Sequence, residues 1–459
     1  MTFEKMRIPY LLLFLFFISC NSGEKTQLPD DSLNTSPARE ELKTGMNELS
    51  CLANNSNYYT AYLPTGFDKS KKYRLVIFFD AHADGRLPLE KYKPLADKWN
   101  YIFMGSNVSK NGMPATETAT IGMELVDEAL TRFPVYTDEI MLCGFSGGAR
   151  VAANVAALRK DVKGVVCNSA APAGQLPGKV YFGLAGLGDM NYLEMKKFQE
   201  LPANERFPRV LLVYDGKHEW APATVFEQAL LISGSRVDGF PQENDSLMAT
   251  AFEREVLQTI DSVRKSSCDL AHDLLAIAAQ TTRPYKVGQE ISKKLAAIRN
   301  DPCLKSDAEQ WEAAEEKESD LQQFLSESLL ARDTTWWRRN AETYFTTEKP
   351  GPDKFMRERL RGYMSLTCYT YANQAFHTRN FHAAEKMVKV YSIVDPENSE
   401  WAYMKAKLYM HLGMKEFVFP NLRLAVALGF KDRTRLQNET VFLPLQNEAE
   451  FQDLFALMQ

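Results

Sequence analysis

Neither sign of charge prevails in this chain of 459 residues. Lys plus Arg number 54 and Asp plus Glu 59, a net of −5. A nucleic-acid binder would carry a basic footprint, so nucleic acid is not an expected partner. No Cys-x-x-Cys pair occurs, which argues against a zinc knuckle or a thioredoxin-like centre. The apolar stretch at residues 8–19 is shorter than the ~20 residues of a bilayer span. Gly183-x-x-Gly186-x-Gly188 lacks the G-x-G-x-x-G spacing and any P-loop ending, so nucleotide binding is not expected. What is present is ordinary globular composition, 45% apolar and 25% charged, which excludes a mainly disordered, collagen-like or polytopic chain. At ~150 residues per domain the length allows two or three domains.

The N-terminus bears on compartment. Lys5 and Arg7 precede the uncharged, Leu- and Phe-rich stretch 8–19, which ends in Phe17-Ile18-Ser19-Cys20. This resembles a bacterial lipoprotein signal. The resemblance implies removal of residues 1–19, lipid on Cys20, and a lipid-anchored place in the cell envelope, periplasmic or at the surface. An ordinary signal peptide or a short anchor is the alternative. Residues 20–47 are polar and are expected to form a flexible tether. Export permits disulfides. Of the remaining cysteines, Cys143 and Cys167 lie in apolar runs and read as buried thiols, and Cys268 with Cys303 is the most plausible bridge.

Residues 48–240 alternate between two patterns. Apolar runs rich in β-branched or aromatic residues occur at 57–63, 73–79, 101–104, 139–143, 162–167, 180–184 and 209–214. Helical spacing occurs at 121–133, 149–159 and 222–232. Continuous apolar strands separated by helices predict an α/β fold, a doubly wound and mostly parallel sheet covered on both faces.

One elbow carries the chemistry. The run 139–143 leads into Gly144-Phe145-Ser146-Gly147-Gly148 and then a helical pattern, which is G-x-S-x-G in strand–turn–helix context. Gly144 and Gly148 leave room for the tight turn, Ser146 is the candidate nucleophile, and the Gly147 amide faces a developing oxyanion. A serine nucleophile needs a base and an acid to orient it, in chain order Ser, Asp or Glu, His. Asp189 follows the run 180–184, and His218 follows the run 209–214. Both therefore fall where strand ends gather catalytic groups.

Residues ~50–235 resemble the α/β-hydrolase superfamily, closest to its esterase, dienelactone-hydrolase-like and polyhydroxybutyrate-depolymerase-like members. The features carrying the resemblance are Tyr59-Thr60-Ala61-Tyr62-Leu63-Pro64, Gly144 to Arg150, Gly188-Asp189 and Gly216-Lys217-His218-Glu219-Trp220. It implies Ser146 as nucleophile, His218 as base, Asp189 as orienter, and acyl transfer without metal or organic cofactor. One departure stands out: Asp80-Ala81 occupies the slot of the family's His-Gly, so the second oxyanion donor is expected at the amide of His82, or of Ala81. Asp80 would either shape the loop or repel the oxyanion. Asp80-x-His82-x-Asp84 also admits a metal-cluster reading. The polar segment 105–112 is either a cleft lining or an ordinary loop. About a dozen residues separate Cys167 from Val180, which leaves no room there for a lid domain.

Residues 241–459 read as helical. Asn380 to Gly413 spans 33 residues, near the ~34-residue tetratricopeptide period, and resembles two degenerate units of that repeat. A non-repeat helical domain is the alternative. Repeats offer a concave surface for a protein partner. Trp336-Trp337-Arg338-Arg339 reads either as a binding patch or as a core Trp pair beside solvated Arg. His272, His377, His382 and His411 show no ligand pairing. The expected function is a serine esterase acting on a small or polymeric ester. The alternatives are a non-catalytic hydrolase-fold scaffold and a serine peptidase of the same fold.

Overall fold

A computed structural model describes residues 42–201, 209–235, 245–282, 288–347 and 349–458. The signal segment, Cys20 and the expected boundary at 240/241 lie outside the described residues. The chain forms two compact units that divide between Ile140 and Met141.

The first unit contains β1 (Gly45–Ser50), β2 (Tyr58–Leu63), β3 (Tyr73–Phe79), α1 (Arg86–Trp99), β4 (Tyr101–Ser106), α2 (Ala115–Arg132) and most of β5 (Val135–Phe145). β1 pairs antiparallel with β2, and β2 with β4; β3 and β4 are parallel. Residues 45–47, expected in the tether, already belong to β1. Their cross-strand partners are Leu63, Tyr62 and Ala61. This strand escapes pattern reading because Asn47 and Glu48 break its apolar alternation. β3 is buried at every residue but Arg74.

The second unit continues with α3 (Gly147–Leu158), β6 (Val162–Asn168), β7 (Val180–Gly186), α4 (Tyr192–Glu200), β8 (Arg209–Tyr214) and α5 (Ala223–Ser235). β6, β7 and β8 are parallel neighbours. β7 is buried along its whole length, whereas β8 alternates buried with half-buried residues. That contrast is expected of an inner strand and an edge strand. Among the described residues the strands run in the order β1-β2-β4-β3-β5-β6-β7-β8. Residues 169–179 alone connect β6 to β7, so no lid is inserted there. The fold class is α/β, a mostly parallel sheet with flanking helices, followed by a helical region.

That region comprises α6 (Asp245–Ser266), α7 (Cys268–Thr282), α8 (Gln289–Arg299), α9 (Pro302–Ala331), α10 (Thr334–Phe345), α11 (Pro352–His377), α12 (Phe381–Val394), α13 (Ser399–His411), α14 (Val418–Ala427), α15 (Arg433–Asn438) and α16 (Ala449–Leu457). Local chemistry sets the starts. Asp301 caps α9 by accepting from the Cys303 amide, with Pro302 in the first turn. Asp333, Asn380 and Asn398 cap α10, α12 and α13 in the same way. Cys268 and Cys303 form a disulfide between the starts of α7 and α9. Trp337 is fully buried among Leu325, Leu329, Met356 and Leu360. It meets Trp336 edge to face at 5.2 Å, while Arg338 and Arg339 are exposed. The tryptophans are therefore core. Among the described residues, no helix is long and apolar enough to cross a membrane.

The four free described thiols, Cys51, Cys143, Cys167 and Cys368, are all buried. Burial pushes each thiol up, Cys51 to about 12 with help from Glu128 and Glu124. A thiolate is the reactive form. Iodoacetamide at pH 8 is therefore expected to leave these four unmodified in the native protein and to alkylate all four in guanidinium, as read by peptide mass mapping.

Candidate active site

β5 runs to Phe145, and α3 begins at Gly147. Ser146 is the single residue between them, with φ 54° and ψ −120°. Such a positive φ is costly for a side-chain-bearing residue. Gly144 makes the turn possible, since a Cβ there would strike the carbonyl group of Gly148. The Ser146 amide donates to the Asn168 carbonyl at 2.9 Å, fixing the elbow to the end of β6. The Gly147 amide sits in the first turn of α3, where N–H groups have no intrahelical acceptor.

The three residues expected to act together are brought together. Ser146 Oγ lies 3.0 Å from His218 Nε2, and His218 Nδ1 lies 3.0 Å from Asp189 Oδ1. With the carboxylate as acceptor, Nδ1 carries the imidazole proton and Nε2 is left to accept from the serine hydroxyl. Asp189 is fully buried, and its Oδ1 also accepts from the Asn191 amide at 2.9 Å. The Phe145 ring packs 5.0 Å from the imidazole and 5.5 Å from Trp220. One flank of His218 is thus apolar, which holds the ring without competing for its nitrogens.

The loops bearing Asp189 and His218 lie side by side. The Leu187 amide donates to the Tyr214 carbonyl at 2.8 Å, and the Gly188 amide to that of Gly216 at 2.9 Å. A Cβ on Gly186 would strike the Gly216 carbonyl. These glycines serve close backbone approach, which explains their density without a phosphate.

Pattern reading missed Asn168, which is fully buried at the end of β6. Its Nδ2 donates to the Glu219 carbonyl at 2.8 Å, and its Oδ1 accepts from the Ala221 amide at 2.7 Å. Asn191 Nδ2 donates to the Ser169 carbonyl at 2.8 Å. A polar Asn-Ser pair closing an apolar strand was the available signal.

His82, expected with Ala81 as an oxyanion donor, belongs to the first unit. Its amide donates to Asp80 Oδ1 at 2.7 Å. Of the two expectations for Asp80, this bond matches the one in which it shapes its own loop. Among the described residues, no group of three or more His, Cys, Asp or Glu is placed to hold a metal ion. In the segment 105–112, Asn107 accepts from the Gly85 amide and donates to Thr60, and Ser106 Oγ accepts from the Ser109 amide. Those side chains brace their own unit. His411 stacks on Phe381 at 5.0 Å, His272 pairs with Asp273, and His377 and His382 are exposed.

No family model matches the sequence, and no curated relative is significantly similar to it. Solved structures that resemble it include a feruloyl esterase module from Clostridium thermocellum, in a mutant complexed with sinapinate. It is 12% identical, covers 44% of this chain and 91% of that one, and has a TM-score of 0.33. Est1E from Butyrivibrio proteoclasticus is 15% identical over 38% and 90%, with a TM-score of 0.30. A puromycin-hydrolyzing peptidase from Mycobacterium tuberculosis is 13% identical over 42% and 39%, with a TM-score of 0.35. These likenesses are too distant to carry an assignment of activity, which rests on the atoms of the site.

Asn168→Ala removes one of the donors to the Glu219 carbonyl, which Ser169 Oγ and the Tyr214 hydroxyl also reach, and removes the Asn168 Oδ1 acceptor from the Ala221 amide. Two such buried hydrogen bonds are together worth about 1–3 kcal/mol. Denaturant unfolding is expected to show a loss in that range, with a clearly lower midpoint.

Proposed function

We propose that the protein is a serine hydrolase of the carboxylic-ester class, working through an acyl-enzyme. The observation that carries this is the continuous hydrogen-bonded series Ser146, His218, Asp189, ending on a buried carboxylate. His218 Nε2 takes the hydroxyl proton as Ser146 Oγ attacks the ester carbonyl carbon. The carbonyl electron pair moves to oxygen, beside the Gly147 amide at the positive end of α3. Collapse expels the alcohol, which leaves with the proton from His218. A water then repeats the cycle with His218 as base, releasing the acid and restoring Ser146. Asp189 keeps Nδ1 protonated and stabilises the transient imidazolium. The short link 169–179 favours an open cleft, which suits a bulky or polymeric ester as readily as a small one.

The N-terminal pattern supports a lipid anchor at Cys20 and a place in the bacterial cell envelope. The packed helix pairs α11–α12 and α13–α14 support the reading of degenerate tetratricopeptide-like units.

A fluorophosphonate is expected to label the wild type at Ser146 and not Ser146→Ala. Removing the base of such a triad lowers kcat about a million-fold, and His218→Ala is expected to lose turnover of p-nitrophenyl esters on that order. Turnover that survives Ser146→Ala would overturn the reading, and a preference for peptide amides over esters would replace esterase by peptidase. For the anchor, metabolic palmitate labelling is expected in the full chain and lost in Cys20→Ala; labelling that persists would refute lipid at that residue.

A further inference from the structure

The helical region reaches into the catalytic loops through one side chain. Arg359, on α11, is fully buried, as is Glu318 on α9. Arg359 Nε donates to Glu318 Oε2 at 2.8 Å, and Nη2 lies 2.6 Å from the same oxygen. The third nitrogen, Nη1, donates to the Leu187 carbonyl at 2.7 Å. The guanidinium carbon also lies 4.9 Å from the centre of the Tyr192 ring. Arg359 thus touches both ends of the segment 187–192, and Asp189 lies between them.

Neighbouring contacts repeat the arrangement. A Cβ on Gly188 would meet Glu358 Cβ at 3.1 Å, and one on Gly362 would meet Met190 Cβ at 3.3 Å. Glu358, Arg359 and Gly362 share one face of α11, at helical spacing. Lys196 on α4 pairs with Glu315 on α9 at 2.8 Å. Leu187 and Gly188 are in turn the residues bonded to the loop of His218.

A buried guanidinium demands a countercharge and acceptors for its donors. Glu318 supplies the charge, and the Leu187 carbonyl takes a donor that the ion pair leaves over. Burial pushes the Glu318 carboxyl up, and Arg359 partly opposes this. The pair is therefore an expensive feature spent on a single backbone carbonyl, two residues from Asp189.

We infer that the helical region completes the triad: Arg359, held by Glu318, is a positioning residue that fixes the Asp189 loop against His218. This rests on the reading of Ser146, His218 and Asp189 as the catalytic series. Arg359 touches no reacting atom and acts through Asp189.

The test uses the full chain with Arg359→Met and Glu318→Met combined, because an apolar pair of similar volume avoids an uncompensated buried charge. Misplacing a catalytic group by an ångström costs about a hundredfold. The expected result with p-nitrophenyl acetate is a kcat lowered roughly tenfold to a hundredfold, with KM and the unfolding midpoint nearly unchanged. In an Asp189→Ala background the same double replacement is expected to change kcat less than about twofold, since its route is already cut. An equal loss in both backgrounds would mean a general structural role and would overturn the inference. If the double variant does not fold, Arg359→Lys enters the same cycle; it keeps the charge opposite Glu318 but gives up the forked donors.

A second readout needs no turnover. The downfield proton resonance of His218 Nδ1–H, assigned by its loss in His218→Ala, is expected to shift upfield or broaden in the double variant. An unchanged resonance together with unchanged kcat overturns the positioning role. If the wild type neither turns over esters nor takes the fluorophosphonate, the hydrolase reading fails. The resonance alone then decides whether Arg359 positions Asp189.

Discussion

Asn168 registers the site's loops against one another at the end of β6. Its backbone carbonyl receives the Ser146 amide, and its side-chain amide spans the Glu219 carbonyl and the Ala221 amide on either side of Trp220. Flanking it in space are two strained residues, Ser146 at φ 54° and Ser169 at φ 62°. Positive φ costs such residues of order 1–3 kcal/mol each and persists only where surroundings over-determine it. The hydrogen bonds of Asn168, together with Asn191 on the Ser169 carbonyl, are that over-determination. In a water-excluded interior each of these bonds is electrostatically stronger than it would be at the surface. The geometry between Ser146 and His218 therefore rests on backbone registered through one amide as well as on the side chains of the series.

The parts of the site that could be read from sequence are those with local chemical causes. The elbow is legible because its glycines answer a steric demand within five residues, and Asp189 and His218 are legible because strand ends precede them. The apolar strands are legible because β3 and β7 are buried on both faces and therefore carry few polar residues. β1 is different. It is mostly half-buried, and its pairing with β2 rather than its own pattern makes it a strand. The loop of His82 is hidden for a related reason: the bond from its amide to Asp80 depends on the direction taken by the Asp80 side chain, which no spacing reveals. Asn168 and Arg359 lie far in sequence from the groups they hold, so only the folded chain discloses what they do.

The Arg359–Glu318 pair is weak as a source of stability. Desolvating two charges offsets most of their attraction, whereas removing one partner alone leaves a buried charge and costs about 3–5 kcal/mol. Such a pair is better understood as enforcing one arrangement than as deepening the folded minimum. Here the arrangement it enforces is the seating of α9 and α11 on the segment 187–192. Trp311 and Phe355, stacked with ring centres 5.9 Å apart beside Tyr192, supply the apolar contact that the charges lack. The helical region and the loops of the second unit thus share a packed boundary made of both kinds of contact.

The bond from Arg359 to Leu187 spans 172 residues of sequence. Translation proceeds at about 5–20 residues per second, so the loop bearing Asp189 leaves the ribosome about 10–30 s before its brace is made. By the end of that interval the sheet strands, the elbow and the loop of His218 all exist as polypeptide, while the Leu187 carbonyl still waits for the Arg359 guanidinium. The position of Arg359 so far along the chain therefore acts as a clock: the segment bearing Asp189 gains its brace long after it is made.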